Sequence, residues 1–166
     1  MTTNKKNIAY ISGSRADFGI MTPVLPSIKK SKKLNLQLYA TGMHLMSDFG
    51  NTIKEMQKEF PETIPIKTVF AGNERKHMAH FAGAFLEKAV AVLNKQKPDL
   101  LLVMGDRPEM LCAAIAGLYL GIPVAHIHGG ERTATVDELA RHAITKIAHL
   151  HFAATKESGE RIGKMG

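Results

Sequence analysis

At 166 residues, 45% of them hydrophobic and only one a cysteine, the chain is long enough to fold as one domain around its own core, and an intrachain disulfide is excluded. Its net charge of +7 is dispersed: Lys29, Lys30, Lys32 and Lys33 cluster where a helix is expected to end and favour its dipole, while Lys54, Lys58, Lys95 and Lys97 fall at solvated helix positions. With no tryptophan and three tyrosines there is no aromatic RNA-binding signature, which disfavours nucleic acid, and a phosphorylated, acidic small substrate fits the surplus equally well.

The opening residues 1–6 are polar and lead into no apolar signal core. No apolar run approaches the roughly 18 residues of a membrane span, so a soluble, cytoplasmic protein is expected. Residues 7–12 (NIAYIS) form a short apolar run closed by Gly13, which reads as a buried first strand and a turn. Further strands are expected at residues 34–41, 64–70, 99–104, 123–128 and 150–155. Pro23 and Pro26 make the helix ahead of Ser31 irregular or late to start. Residues 74–95 carry the clearest helical pattern: Met78, Phe81, Phe85, Ala89 and Val92 make one apolar stripe, read as core packing and not as a binding surface. Cys112, inside the apolar run 110–116, reads as a small buried hydrophobe. A helix over residues 136–148 is opened by a capping box of Thr135 and Glu138, with Asp137 and Arg141, and Glu138 and His142, as i, i+4 pairs. A last helical pattern ends on Gly166, a stop that ordinarily leads into another strand, so either the domain is self-contained or a second one begins there. Strands alternating with helices make the fold α/β, a Rossmann-like parallel sheet with helices on both faces, because right-handed crossovers place them there.

In such a sheet ligands bind outside the carboxyl ends of the strands. Four segments at those positions are polar and glycine-bearing: Gly13-Ser14-Arg15-Ala16-Asp17, Gly42-Met43-His44, Gly105-Asp106-Arg107 and Gly129-Gly130-Glu131. Glycines let the backbone approach a ligand, a helix start offers free amides to an anion, and Arg15 adds a planar grip suited to a diphosphate. The alternative is that Arg15 and Asp17 simply pair with each other. Neither the Gly-x-Gly-x-x-Gly nor the Walker lysine spacing is present, which disfavours nicotinamide cofactors and ATP-type loops. Asp106 is either the cap of the helix that follows or an acid/base on the rim. His126 and His128, two apart, fall on one face of a strand, with Glu131 three residues on. Such a set suits a metal only with a third close ligand, which is not in view, and no metal is assigned. His149 and His151 repeat the spacing, each either a structural histidine, hydrogen-bonded in the core or at the rim, or a functional one.

In order and spacing, Ser14-Arg15-Ala16-Asp17, Gly42-Met43-His44-Leu45 with Asp48-Phe49-Gly50-Asn51-Thr52, Gly105-Asp106-Arg107, His126-Ile127-His128-Gly129-Gly130-Glu131 and residues 137–146 (DELARHAITK) resemble the N-terminal domain of hydrolysing UDP-N-acetylglucosamine 2-epimerases. The resemblance covers nearly the whole chain and takes in the enzymes of sialic and legionaminic acid synthesis. It implies that residues 1–166 are one Rossmann-like half of a glycosyltransferase-B-like two-domain fold, whose nucleotide-binding C-terminal half this chain does not contain. It also implies conversion of UDP-N-acetylglucosamine, or a related nucleotide sugar, to N-acetylmannosamine and UDP. The route is elimination to a glycal and rehydration, with no cofactor, by a protein that is a homo-oligomer at full length and inactive as this chain alone.

By the same resemblance Asp106, Glu131 and Asp137 are acid/base candidates around the sugar, and Arg15 reaches the diphosphate. Asp17, His44, Arg107, His126, Arg141, His149 and His151 are binding or supporting contacts. Non-hydrolysing relatives carry a catalytic glutamate at the position of His128, so that role does not transfer; His128 is read instead as a proton carrier or as the group that orients Asp106. Two rivals share the fold: the donor half of a glycosyltransferase, and a non-catalytic nucleotide-sugar-binding module. A rim with several histidines and carboxylates favours the epimerase, since transferases need fewer proton carriers.

Overall fold

The computed structural model describes residues 5–72 and 74–166; residues 1–4, the first part of the polar opening, and Asn73 lie outside the described residues. The chain begins with β1 (Lys6–Ser12) and α1 (Arg15–Met21). A second short helix, α2 (Leu25–Lys30), follows, so the irregular helix expected around Pro23 and Pro26 is in fact two, with Pro26 in the first turn of the second, where a missing amide costs nothing. After β2 (Leu34–Ala40) come two 3-10 turns, Gly42–Leu45 and Ser47–Phe49, then α3 (Ile53–Glu59) and β3 (Ile64–Pro65). The second half alternates regularly: α4 (Arg75–Gln96), β4 (Leu100–Met104), α5 (Pro108–Leu120), β5 (Val124–Ile127), α6 (Val136–Ile147), β6 (Leu150–Phe152) and α7 (Lys156–Met165).

All strand pairs are parallel and the sheet order is β3-β2-β1-β4-β5-β6. The chain winds outward from β1 in both directions, so the order reverses between β1 and β4 and opens a crevice at their carboxyl ends. The strands divide their side chains between two cores. Ala9 and Ile11 of β1 with Leu101 and Val103 of β4 pack under α4, α5 and α6, against Phe85, Leu93, Met110 and Ile144. Ile8 and Tyr10 with Leu102 and Met104 pack under α1, α2 and α3, against Met21, Leu25 and Met56. This is period-two alternation with both faces covered, which is why these strands read as continuous apolar runs rather than as alternating ones.

Three expectations change. The third strand, expected over residues 64–70, pairs only at Ile64 and Pro65. Ile66 still donates to the Ala40 carbonyl at 2.8 Å, but Thr68 then bonds back to Ile66 and offers its own carbonyl to the Gly42 amide, so the chain leaves the sheet edge and curls over the mouth. Phe70 ends stacked on Phe81, 3.9 Å between ring centres. The last strand stops at Phe152 because Thr155, expected inside it, is the cap of α7, accepting the Ser158 amide at 3.1 Å. On α4 the apolar stripe is core at Phe81, Phe85 and Ala89, but Met78 lines an open cavity at the mouth, contrary to the reading of the whole stripe as core.

Phe85 is fully buried at the centre of the larger core, where truncation removes a ring and leaves a cavity. Phe85→Ala is expected to cost about 3–5 kcal/mol of stability, read as a lowered urea midpoint with an unchanged slope.

Candidate active site

The mouth begins where β1 ends. Ser14 caps α1, and the Asp17 side chain folds back to accept the Gly13 amide at 3.0 Å, the Ser14 amide at 2.8 Å and the Ser14 hydroxyl at 3.1 Å. The Ser12 hydroxyl also donates to it, and the Tyr10 hydroxyl reaches it at 3.3 Å. Burial, and then the Asp17 charge, push the Tyr10 phenol well above its ordinary value, so it remains a donor. Asp17 is therefore a buried clamp on the turn and not the partner of Arg15. Arg15 is exposed and lies 3.6 Å from Glu55 of α3.

His44 is buried without exposed surface between Ser12 Oγ, 2.9 Å from Nε2, and Thr52 Oγ1, 2.6 Å from Nδ1. Because the Ser12 hydroxyl is given to Asp17, its oxygen accepts from His44 Nε2, and Thr52 donates to Nδ1. Burial lowers the His44 pKa, consistent with this neutral tautomer. The relay Thr52–His44–Ser12–Asp17 ties the loop after β2 to the end of β1.

From β4 come Asp106 and Arg107. Asp106 does not cap α5, whose N-cap is Arg107; instead it takes an ion pair from Arg141 of α6. That pairing replaces the expected Asp137–Arg141 contact. Glu138, expected to pair with His142 and to close a capping box on Thr135, accepts instead from the Thr133 and Ala134 amides at 2.7 and 2.9 Å, while Thr135 does cap α6 by accepting from Asp137. Asp137 is left exposed on the first turn, facing the mouth.

The two histidines of β5 part company. His126 is buried, with Nε2 donating to the Gly105 carbonyl at 2.8 Å and Nδ1 3.2 Å from Thr145 Oγ1; burial pushes its pKa down to about 4. His128, at φ 61°, is left-handed, a conformation histidine tolerates better than most residues. That turn breaks the pleat, so the two rings do not share a face as expected. His128 lies with Glu131 along a cavity of about 260 Å³ that also takes in Ser14, Gly105, Asp106, Arg107 and Arg141. Gly129 must be small, since a Cβ there would stand 2.8 Å from the His126 ring. A second cavity, about 490 Å³, shares Asp106 and Arg107 and adds Asp137 opposite Met43, Met46, Phe49, Phe70 and Met78. A third, more apolar cleft of about 610 Å³ runs between α4, α5 and α6 to the same Asp106 and Asp137.

Of the twelve residues singled out in the sequence, the structure brings Asp17, Asp106, Arg107, His128, Glu131, Asp137 and Arg141 into the linings of these cavities. His44 and His126 lie buried behind the mouth. Arg15 lies outside the linings, and His151 stands beside His126 on the edge strand, exposed. His149 is at the opposite end of the sheet, where its amide bonds to the carbonyl of Val124 at the start of β5. Sequence reasoning overlooked Glu109, a fully buried carboxylate bonded by Arg107, and the methionines of the second cavity. The available signal was a lone acid at the head of an otherwise apolar helix. Among the described residues no group of three or more histidine, cysteine, aspartate or glutamate side chains stands close enough to hold a metal, and no helix is long and apolar enough to cross a membrane.

The family model described as UDP-N-acetylglucosamine 2-epimerase matches residues 26–166. A UDP-N,N'-diacetylbacillosamine 2-epimerase (hydrolyzing) of Legionella pneumophila subsp. pneumophila is 43% identical over 162 residues, 97% of this chain and 43% of that protein. A UDP-N-acetylglucosamine 2-epimerase of Neisseria meningitidis serogroup B is 35% identical over 166 residues, 97% of this chain and 42% of that protein. Among solved structures, a UDP-GlcNAc 2-epimerase from Neisseria meningitidis bound to UDP-GlcNAc superposes with a TM-score of 0.80 at 22% identity, over 95% of this chain and 42% of that one, a likeness of fold. The chain thus spans less than half the length of the relatives it matches.

The depressed pKa of His126 makes stability depend on pH. The unfolded chain, with histidine near 6.5, binds the proton before the folded one does. The stability tied to neutral His126 is therefore complete above about pH 6.5 and is lost as pH falls toward about 4. Unfolding free energy should decline over this window by on the order of 1–3 kcal/mol more in the wild type than in His126→Gln, measured by denaturant titration at each pH.

Proposed function

Because the chain belongs to the UDP-N-acetylglucosamine 2-epimerase family, we propose that it supplies one wall of a hydrolysing nucleotide-sugar 2-epimerase site. A second lobe, expected to carry most of the nucleotide contacts, closes the other side of the crevice between β1 and β4. The observation that carries this reading is that Asp106 and Arg107 stand in both mouth cavities, flanked by Glu131 and His128 in one and by Asp137 in the other. Carboxylates for proton transfer and guanidinium groups for a departing anion thus meet at one place in the sheet.

The reaction uses both kinds of group. A base removes the C2 proton of the sugar, and that electron pair forms the C1–C2 double bond as the C1–O bond breaks and its electrons leave with the diphosphate. The C2 proton is only weakly acidic, so its removal depends on the leaving group departing with it, and cationic donors preorganised around the diphosphate lower that barrier. Water then adds at C1 while an acid returns a proton to C2 from the opposite face, giving the free 2-epimer. Asp106, Asp137 and Glu131 are the acid/base candidates, with His128 as proton carrier. The Arg141 ion pair keeps Asp106 in place at the rim. The transferase reading asks for an acceptor sugar and leaves this set of proton carriers without a use.

One cavity wall bears on the sugar. Met43, Met46, Phe49, Phe70 and Met78 offer thioether and aromatic carbon, which cannot satisfy sugar hydroxyls but packs well against methyl and acetamido groups. This favours a diacetamido-trideoxy sugar, the type named for the Legionella relative, over N-acetylglucosamine.

In deuterated water, a protein comprising this chain and its second lobe should release 2-epimer carrying deuterium at C2; product without the label would defeat the elimination route. Asp106→Asn and Asp137→Asn are expected to lower turnover by ~100-fold if each transfers a proton, whereas near-normal rates in both would return these residues to structural roles. Given both UDP sugars in competition, kcat/KM should favour the diacetamido-trideoxy one by ~10–100-fold, and equal values would remove the role assigned to the methionine wall.

A further inference from the structure

The side chain of Glu109, in the first turn of α5, has no solvent exposure. It turns back beneath Arg107, whose Nε and Nη2 both donate to Oε1, at 3.2 and 2.9 Å. The other oxygen, Oε2, is buried without a hydrogen-bond partner. Room for the carboxylate comes from two glycines on different rim loops: a Cβ on Gly13 would collide with Oε1, and one on Gly42 would lie 2.9 Å from it. The rest of α5 is apolar, and an apolar side chain at this position would avoid the cost of burying a carboxylate. What the carboxylate secures is Arg107. That side chain is 27% exposed, lines both mouth cavities, and keeps Nη1 without a partner among the described residues. A guanidinium held through two donors of one edge is a preorganised donor for its remaining N–H groups, and a free one must first be ordered.

We propose that Glu109 is a positioning residue: it fixes Arg107 in the wall shared by the two cavities so that the free Nη1 meets the departing diphosphate, and Gly13 and Gly42 leave their side-chain space to its carboxylate. This rests on the epimerase reading for the identity of the anion, but not for the coupling of the two side chains. Glu109 touches no substrate; it acts through Arg107.

The test is a double-mutant cycle in the protein with its second lobe present, reading kcat, KM and, by calorimetry, affinity for UDP. Glu109→Ala and Arg107→Ala should each lower kcat/KM by ~30–100-fold, mostly in kcat, and weaken UDP by ~10-fold, while the double variant falls no more than ~3-fold below either. Glu109→Gln, which keeps an acceptor for Arg107, should return to within ~5-fold of wild type. Should Glu109→Ala not fold, Glu109→Asp, which withdraws the acceptor by one methylene, takes its place in the cycle. Losses that multiply in the double variant, a Glu109→Gln as impaired as Glu109→Ala, or unchanged UDP affinity on losing Glu109 would each overturn the proposal. A wild type that turns over no nucleotide sugar defeats the epimerase reading, and the UDP cycle still decides on Glu109.

Discussion

The geometry of the mouth depends on one buried carboxylate. Asp17 gathers the amides of Gly13 and Ser14 and the hydroxyls of Ser12 and Ser14 into a single knot, and so sets where β1 stops and where α1 starts. Hydrogen bonds to a charged acceptor are the strong ones, and a buried acceptor that lost them would bear its full desolvation cost. The knot extends through Ser12 to His44 and Thr52, so the same carboxylate that shapes the first loop also anchors the second. With both loops fixed, the space between them is defined closely enough for Glu109 to fit beneath Gly13 and Gly42.

The ion pairs fall into two groups that do different things. Pairs such as Lys76–Glu74 and Lys156–Glu160 lie in solvent, where screening leaves at most about 1 kcal/mol each. The pairs of the mouth, Arg141–Asp106 and Arg107–Glu109, are largely withdrawn from water. A buried pair adds little net stability over a well-packed apolar one, yet losing one partner costs about 3–5 kcal/mol because the other charge is stranded. Their contribution is fixed direction: Arg141 reaches from α6 to the loop after β4, and Arg107 is held across the junction of two cavities. The overall positive charge of the chain, by contrast, has no single focus.

Local chemistry made most of the scaffold legible. Apolar runs closed by glycine located β1, β4 and β5, and the alternation of strand and helix implied a parallel sheet with a polar rim. What could not be read were matters of competition between partners. Arg141 has an acid one turn away at Asp137 and another across the crevice at Asp106, and nothing in the spacing says that the distant one prevails. Residues 64–70 have strand composition, but an edge position offers one neighbour only, and the pull of Phe81 on Phe70 carries the chain off the sheet. Met78 keeps helical register with core residues, yet it stands near the N-terminal end of α4, beyond the strands that would cover it. Nothing local in the sequence marks Glu109 as buried, because its burial depends on two glycines nearly seventy and one hundred positions earlier.

The left-handed turn at His128 limits what evolution can place there. A β-branched side chain is strongly disfavoured in that backbone, whereas histidine, asparagine and aspartate are enriched in it. Histidine, asparagine and aspartate can therefore replace one another in the cavity without rebuilding the loop. The position behaves as an interchangeable socket in an otherwise rigid frame, so a lineage can alter the acidity of one reacting group while leaving the fold that presents it untouched.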